Sequence, residues 1–311
     1  MREVVIRTGS RLHFGLFALN PEHERQFGGI GMMIDDPGVC ARVEPSDKTT
    51  IIGDEAIVDR VNTFTSRFRE TYPQTPPVRI EVSQFIPAHS GLGSGTQLAL
   101  AVGAALAELA NIDCSPIEIA IATGRGRRSA IGIHGFQHGG FLVDGGHSPN
   151  EAVGQMMQRI EVPADWRIVL ISPNDAHGLS GQSELDAFSR LPPMPATLTT
   201  ELRGLVTNEI VPALRDADFD RFTQSLHSFG QQIGQYFAPV QGGVFRSPQA
   251  TNLADALTAN NVQAIVQSSW GPTVCAFARN ATDVQRILSL LDGVSATVAK
   301  PMNSGHVAEC L

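Results

Sequence analysis

Lysine is almost missing from this 311-residue chain: of its 23 basic residues only Lys48 and Lys300 are lysines. Net positive charge is missing as well, since the balance is −8, which excludes the broad cationic footprint a nucleic-acid partner needs. No long apolar run occurs; the longest, residues 98–107, is about half of a membrane span and predicts no membrane association. Arg2, Glu3, Arg7 and Arg11 interrupt the first twenty residues, which predicts no secretory signal. Cysteine is sparse: Cys40, Cys114, Cys275 and Cys310 form no CxxC pair, which argues against a zinc site or a disulfide framework. They read as buried thiols of a cytoplasmic protein.

What is present is ordinary globular material, 42% hydrophobic and 17% charged, in a chain long enough for two packed lobes. Alternation marks strands at residues 3–7 and 78–82, and wider apolar spacing marks a helix over 58–72 ended by Pro73. A glycine-rich turn, Ser90-Gly91-Leu92-Gly93-Ser94-Gly95, leads into a small-residue helix over 96–110 whose Ala99, Gly103, Ala104 and Ala107 predict close packing on a sheet. A short helix over 115–123 precedes Gly124-Arg125-Gly126-Arg127-Arg128, and glycine pairs bracket a strand at 141–144. Residues 162–165 read as a hinge, which sets a boundary between domains 1–165 and 166–311. Beyond it a strand at 166–171, helices over 199–214 and 219–237, and a helix, strand, helix, strand series to residue 299 predict an α+β sandwich with helices on one face.

Two segments carry chemistry. Glycines at a helix mouth leave backbone N–H groups open and present the positive end of the helix dipole, so residues 87–97 predict an anion site. A plain turn capped by Ser94 or Thr96 is the alternative. No lysine follows the glycines, so this is not a Walker A loop. Three arginines in four positions, Arg125, Arg127 and Arg128 beside Ser129, repel one another unless an anion offsets them, and predict a second anion site; the alternative is a solvated cluster. Two anion sites suit a ligand phosphorylated at both ends.

Residues 87–98 resemble the second motif of the GHMP small-molecule kinases. Arg11-Leu12-His13-Phe14-Gly15-Leu16 resembles their first motif, and Ser268-Ser269-Trp270-Gly271-Pro272-Thr273-Val274 their third. The resemblance implies a two-domain GHMP-type α+β fold with a ferredoxin-like C-terminal half. Two departures count against phosphoryl transfer. Gly95 follows Ser94 where the kinases pair serines, and Ser129-Ala130-Ile131-Gly132 places glycine where many members carry the catalytic aspartate. With Gln241-Gly242-Gly243 and Gln267 added, the chain resembles a non-kinase branch, the β-ribofuranosylaminobenzene 5'-phosphate synthases.

That resemblance implies condensation of 4-aminobenzoate with phosphoribosyl pyrophosphate, releasing CO2 and pyrophosphate, by a homodimer using Mg²⁺. On it, Ser90, Gly91, Leu92, Gly93, Ser94, Gly95, Thr96, Gln97 and the arginine loop are expected on the donor, with Ser94 and Thr96 near the metal. Arg25, Gln26, Gly28, Phe14, Ser269, Trp270 and Gly271 are candidates for the acceptor. Arg11, His13, His134 and Asp144 are the candidate catalytic residues, with His138 beside them, and each histidine is equally a structural hydrogen-bonder. Asp35-Asp36 before Pro37-Gly38 reads as a turn, and residues 303–306 as a late loop that closes over a site or simply turns at the surface. A kinase of this fold and a non-catalytic phosphoribosyl pyrophosphate binder remain as rivals.

Overall fold

The computed structural model describes residues 3–20, 24–173, 186–187 and 189–311; Met1 and Arg2 of the N-terminal reading lie outside them. Two sheets organise the chain. The first contains β1 (Val4–Gly15), β2 (Gly29–Pro45), β3 (Thr50–Ile52), β4 (Val78–Gln84), β5 (Phe141–Asp144), β6 (Met156–Ile160) and β11 (Val307–Cys310). Its main path runs β11-β1-β2-β4-β3, and β5 with β6 extends from the first residues of β2. Four strands build the second: β7 (Arg167–Ser172), β8 (Ile265–Gln267), β9 (Val274–Ala278) and β10 (Ser295–Ala299), all antiparallel in the order β10-β7-β9-β8. That order is ferredoxin-like.

Helix α1 (Glu55–Thr71) starts on an Asp54 cap and α2 (Ser94–Ala110) ends on Asn111 in the left-handed region. A full capping box between Ser115 and Glu118 fixes the start of α3 (Pro116–Ala122). Gly103 of α2 makes room for Ile119 of α3 and Phe68 of α1, so this small residue serves helix packing, whereas the sequence suggested the sheet. The segment after Ser129 is a helix, α4 (Ile131–His138), which the sequence reading left unassigned.

In the C-terminal half α5 (Ala196–Leu205) passes through a π turn at Val206–Ile210 into α6 (Val211–Arg215), where the sequence predicted one helix. Pro212 has no N–H to give the Asn208 carbonyl one turn back, and Arg221 Nη2 donates to that oxygen instead at 2.8 Å. Then follow α7 (Phe219–Gln241), α8 (Pro248–Ala259) and α9 (Ala281–Leu288). Helices cover both faces of the second sheet, not one. Val169, Ile171, Val274 and Ala276 pack with Leu253, Leu257, Val284 and Ile287, while Ile168, Leu170, Cys275 and Phe277 join the main core with Phe222 and Phe229.

Three further expectations are corrected. Asp35 and Asp36 lie inside β2, not in a terminal turn, and Asp35 Oδ1 accepts the Lys300 N–H at 2.7 Å. Val162, the first residue of the expected hinge, is pinned: Asn303 accepts from Val162 N at 2.9 Å and donates to Val162 O at 2.8 Å. The late loop therefore packs against the interlobe connection and the end of α4, and the tail continues into β11 beside β1. Among the cysteines Cys40 and Cys275 are buried but Cys310 is exposed. No helix among the described residues is long and apolar enough to cross a membrane. Removing the two-point clamp with Asn303→Ala leaves both Val162 main-chain groups without their partner. A loss of about 2 kcal/mol in unfolding free energy is expected by urea denaturation, with activity per folded molecule unchanged.

Candidate functional site

Helix α2 begins at Gly93, whose φ of 78° is left-handed, and no side chain caps it; its first turn holds no acid. Neither Ser94 nor Thr96 acts as the cap that the alternative reading required. The loop before it is held from two sides. Arg11 N donates to Leu92 O at 3.1 Å and Arg11 Nη1 to Gly91 O at 2.8 Å. From the third glycine segment Ser268 Oγ donates to Gly91 O and Thr273 Oγ1 to Ser90 O, both at 2.8 Å. Gly271 lies main chain to main chain against Gly91: a Cβ at 271 would stand 2.2 Å from the Gly91 Cα. Glycine is required on both sides of that crossing.

A cavity of about 340 Å³ opens beside this crossing. Its described lining includes Arg11, Thr96 and residues 124–129 together with Phe27, Phe237, Phe245, Trp270 and the α7 glycines Gly230 and Gly234. No aspartate or glutamate is among its described lining residues, so Arg11, Arg125, Arg127 and Arg128 set its charge. The helix mouth and the arginine loop meet here. Arg125 Nη2 lies 3.4 Å from Thr96 Oγ1, and a Cβ on Gly95 would come within 3.0 Å of that nitrogen. The Arg11 stem covers Gly93, where a Cβ would be 2.7 Å from its Cγ. Of residues 90–97 only Thr96 lines the cavity itself.

His13 also lines the cavity. Its main chain is fixed by Ser268 Oγ, which accepts from His13 N at 3.2 Å, and by Ser269 N, which donates to His13 O at 2.7 Å. The imidazole is 8% exposed and its Nε2 has no hydrogen-bond partner among the described residues. Burial, then the positive charges of Arg11 and Arg128, push its pKa down to about 3, so the ring is neutral.

Several expected site residues have structural duties elsewhere. Asp144 is buried and accepts from Ala130 N at 2.7 Å and Gly146 N at 2.9 Å, anchoring the arginine loop's end rather than facing the cavity. Burial nonetheless raises its pKa, with those two N–H groups opposing. His134 Nε2 pairs with Gly154 O at 2.8 Å, and His138 ends α4; neither lines the cavity. Arg25 is spent on Glu151 at 2.8 Å and on the Gly145 and Gly146 carbonyls, and Gln26 on Asn20. Gly28 packs on the Asp144 carbonyl, and Leu92 belongs to the core. Gln97 is fully buried, accepting from Thr8 Oγ1 at 2.9 Å and donating to Gly132 O at 2.8 Å. Ser90 donates to Pro87 O, and Ser129 Oγ accepts from Ile131 N. Ser129, Ser269 and Trp270 do line the cavity, and Phe14 with them.

Three contributors escaped the sequence reading. Arg60 of α1 reaches Ser94 Oγ at 3.4 Å and Arg67, two turns on, reaches Thr123 O at 3.3 Å; their spacing of seven was the signal that one helix face looks at both segments. His147 Nε2 lies 2.9 Å from Arg127 O while its ring stacks on Phe27, joining the arginine loop to the aromatic wall. As Mg²⁺ ligands Ser94 and Thr96 do not fit. Each hydroxyl stands 3.4 Å from a guanidinium nitrogen, and no group of three metal-ligating side chains occurs among the described residues.

Residues 59–141 match the N-terminal domain of the GHMP kinases. Solved structures of the same shape include mevalonate-3-kinase from Thermoplasma acidophilum, 13% identical with a TM-score of 0.70 over 99% of this chain and 98% of that one. Mevalonate diphosphate decarboxylase from Staphylococcus aureus is 11% identical at a TM-score of 0.68, covering 99% and 98%. The chain thus has the GHMP fold and carries a segment matching the GHMP N-terminal domain. Sequence likeness narrows this further. A β-ribofuranosylphenol 5'-phosphate synthase from Archaeoglobus fulgidus is 33% identical over 91% of this chain and 90% of its own length. One from Methanocaldococcus jannaschii is 31% identical over 97% and 99%. The chain belongs to the β-ribofuranosylphenol 5'-phosphate synthase family.

If the arginine loop holds an anion, Arg127→Ala combined with Arg128→Ala removes two charge-assisted contacts of about 1.5 to 3 kcal/mol each. Calorimetry with pyrophosphate is expected to show affinity at least about a hundredfold lower, with an unchanged melting curve. Unaltered affinity would remove the loop from the site.

Proposed function

We propose that this enzyme joins C1 of the ribose in phosphoribosyl pyrophosphate to the carboxyl-bearing carbon of a para-substituted benzoate, with release of CO2 and pyrophosphate. The observation that carries this reading is a cavity whose described lining combines four arginines and no acid with several aromatic side chains. The arginines suit a doubly phosphorylated sugar, and the aromatic side chains a flat ring. Departure of pyrophosphate leaves positive charge on the sugar carbon. The ring carbon attacks that centre, and loss of CO2 restores aromaticity. Within the cavity the arginines bind and orient the phosphates, Thr96 adds a hydroxyl, and the aromatic side chains exclude water.

Two acceptors fit this chemistry. The sequence resemblance implies 4-aminobenzoate, whereas the relatives' names end in a phenol, the product that 4-hydroxybenzoate would give by the same decarboxylating route. Phosphoryl transfer is the weaker reading. At the position of the kinases' aspartate a Cβ on Gly132 would meet Thr96 at 3.2 Å, Gln97 at 3.3 Å and the Arg11 stem at 3.5 Å, leaving little room for a carboxylate.

Mixing the protein with Mg²⁺, phosphoribosyl pyrophosphate and each benzoate in turn, then analysing by mass spectrometry, is expected to reveal one ribosylated, decarboxylated ring. Carboxyl-labelled acceptor is expected to release labelled CO2 in equal amount. Binding of the donor with no product would leave a sensor rather than an enzyme, and ADP formation from ATP with small alcohols would restore the kinase.

A further inference from the structure

Of the aromatic side chains in the described lining, Phe237, Phe245 and Trp270 come from the C-terminal half, and the last two stand in neither helix nor strand. Precision at such positions has to come from side chains that hold the main chain. We propose that Gln241 and Gln267 are positioning residues that set Phe245 and Trp270 for the aromatic acceptor, so that losing either amide weakens acceptor binding and spares the diphosphate. This deepens the function proposed above and rests on it.

Each glutamine is the last residue of a regular element, Gln241 of α7 and Gln267 of β8, where Gln267 is in register with Val274 of β9. Together they grip the main chain on both sides of Phe245. Gln241 Nε2 donates to Val244 O at 2.8 Å and to Gly243 O at 2.9 Å, and Arg246 N donates to Gln267 Oε1 at 2.8 Å. The same Gln267 amide reaches the segment before Trp270. Its Nε2 donates to Ser269 O at 2.9 Å and to Gln241 Oε1 at 3.3 Å.

The partners fix which way each amide points. Turned over, Gln267 would set its oxygen against the Ser269 carbonyl and Gln241 Oε1, and its NH2 against the Arg246 N–H. Gln241 turned over would meet two carbonyls with an oxygen. Each NH2 thus serves two acceptors of the protein, and the pair acts on a ligand through the segments it holds.

Those segments need holding. Ser269 has a φ of 56°, the left-handed region that is uphill for serine, and it is kept there by its N–H on His13 O at 2.7 Å and by the Gln267 bond to its carbonyl. Trp270, next in the chain, packs on Phe237 with ring centroids 4.9 Å apart, so a relaxed turn would shift both rings. A flat ligand between loosened side chains bears the cost of ordering them. The arginine loop hangs on other supports, Arg125 N on Ala120 O at 2.7 Å and Arg127 O on His147 at 2.9 Å, and none of the glutamines' partners belongs to it.

Calorimetry on wild type and Gln267→Met tests the split, with pyrophosphate titrated alone and then 4-hydroxybenzoate and 4-aminobenzoate titrated at saturating pyrophosphate. The benzoate that wild type prefers is expected to lose about tenfold or more in affinity while pyrophosphate stays within about twofold. In turnover the KM for that benzoate is expected to rise by a similar factor, with the KM for phosphoribosyl pyrophosphate unchanged. Unaltered benzoate affinity in the folded variant would overturn the positioning role and leave the proposed reaction standing. An equal loss for both ligands would mean support of the fold alone and would overturn it too. Wild type that binds pyrophosphate but neither benzoate would overturn the reaction and this inference together. Should Gln267→Met not fold, Gln241→Met, which frees the Val244 carbonyl and keeps the Ser269 bond, is read by the same titrations against the same outcomes.

Discussion

The contact between Gly91 and Gly271 governs the rest of this molecule. Two main chains from residues 180 positions apart touch where a single Cβ would stand 2.2 Å from the opposing Cα. Through it the first strand's Arg11 and His13, the mouth of α2 and the loop carrying Trp270 are brought to one place. Ser268 and Thr273 reinforce the contact by donating to the Gly91 and Ser90 carbonyls. Neither lobe alone contains the cavity, since one supplies the arginines and the other most of the aromatic wall. Close packing makes the arrangement stiff, because nothing can be inserted at the crossing without moving both sheets.

The second constraint is charge. Four arginines and no carboxylate are among the described residues that line the cavity, in a protein whose net charge is −8. The negative excess lies elsewhere on the molecule, and the field inside the cavity is local and positive. Arg60 and Arg67 approach the same two segments from α1, one half-desolvated beside Ser94 and the other against Thr123 O. Such a cluster is costly when empty and favourable when filled by an anion, which makes the site selective for polyanions before any shape is considered.

Much of this was legible from residues in order. The alternation at 78–82, the helix after Gly93 and the strand at 274–278 appear as read, because their apolar periods and their caps agree with the final packing. The run Ile168-Val169-Leu170-Ile171 carried a signal that was passed over: apolar residues on successive positions mean that both faces of a strand are buried, and both are. What stayed hidden depends on partners distant in sequence. Arg25 and Asp144 look chemically active in isolation, and only tertiary contacts with Glu151 and with the Ala130 amide show them occupied. Gln97 lies in the loop motif yet points into the core because a helix turns each residue by about 100°, so neighbours in a motif need not share a surface. His147 had no motif at all, and its place between Arg127 and Phe27 follows from the β5 to β6 connection folding back.

A fold shared with kinases therefore does not fix the reaction, and the difference can be traced to a few atoms. Phosphoryl transfer needs an acceptor hydroxyl beside the terminal phosphate and a group to take or orient its proton. Here that position is closed by Gly132 packed under Thr96 and the Arg11 stem. In place of a carboxylate the cavity offers four arginines and, in His13, a neutral imidazole. In the reaction proposed above the bond at the carbon end of the phosphate ester breaks, and the negative charge left on oxygen falls among these arginines. On the same proposal the aromatic side chains would receive the ring that attacks the vacated carbon and keep water from it.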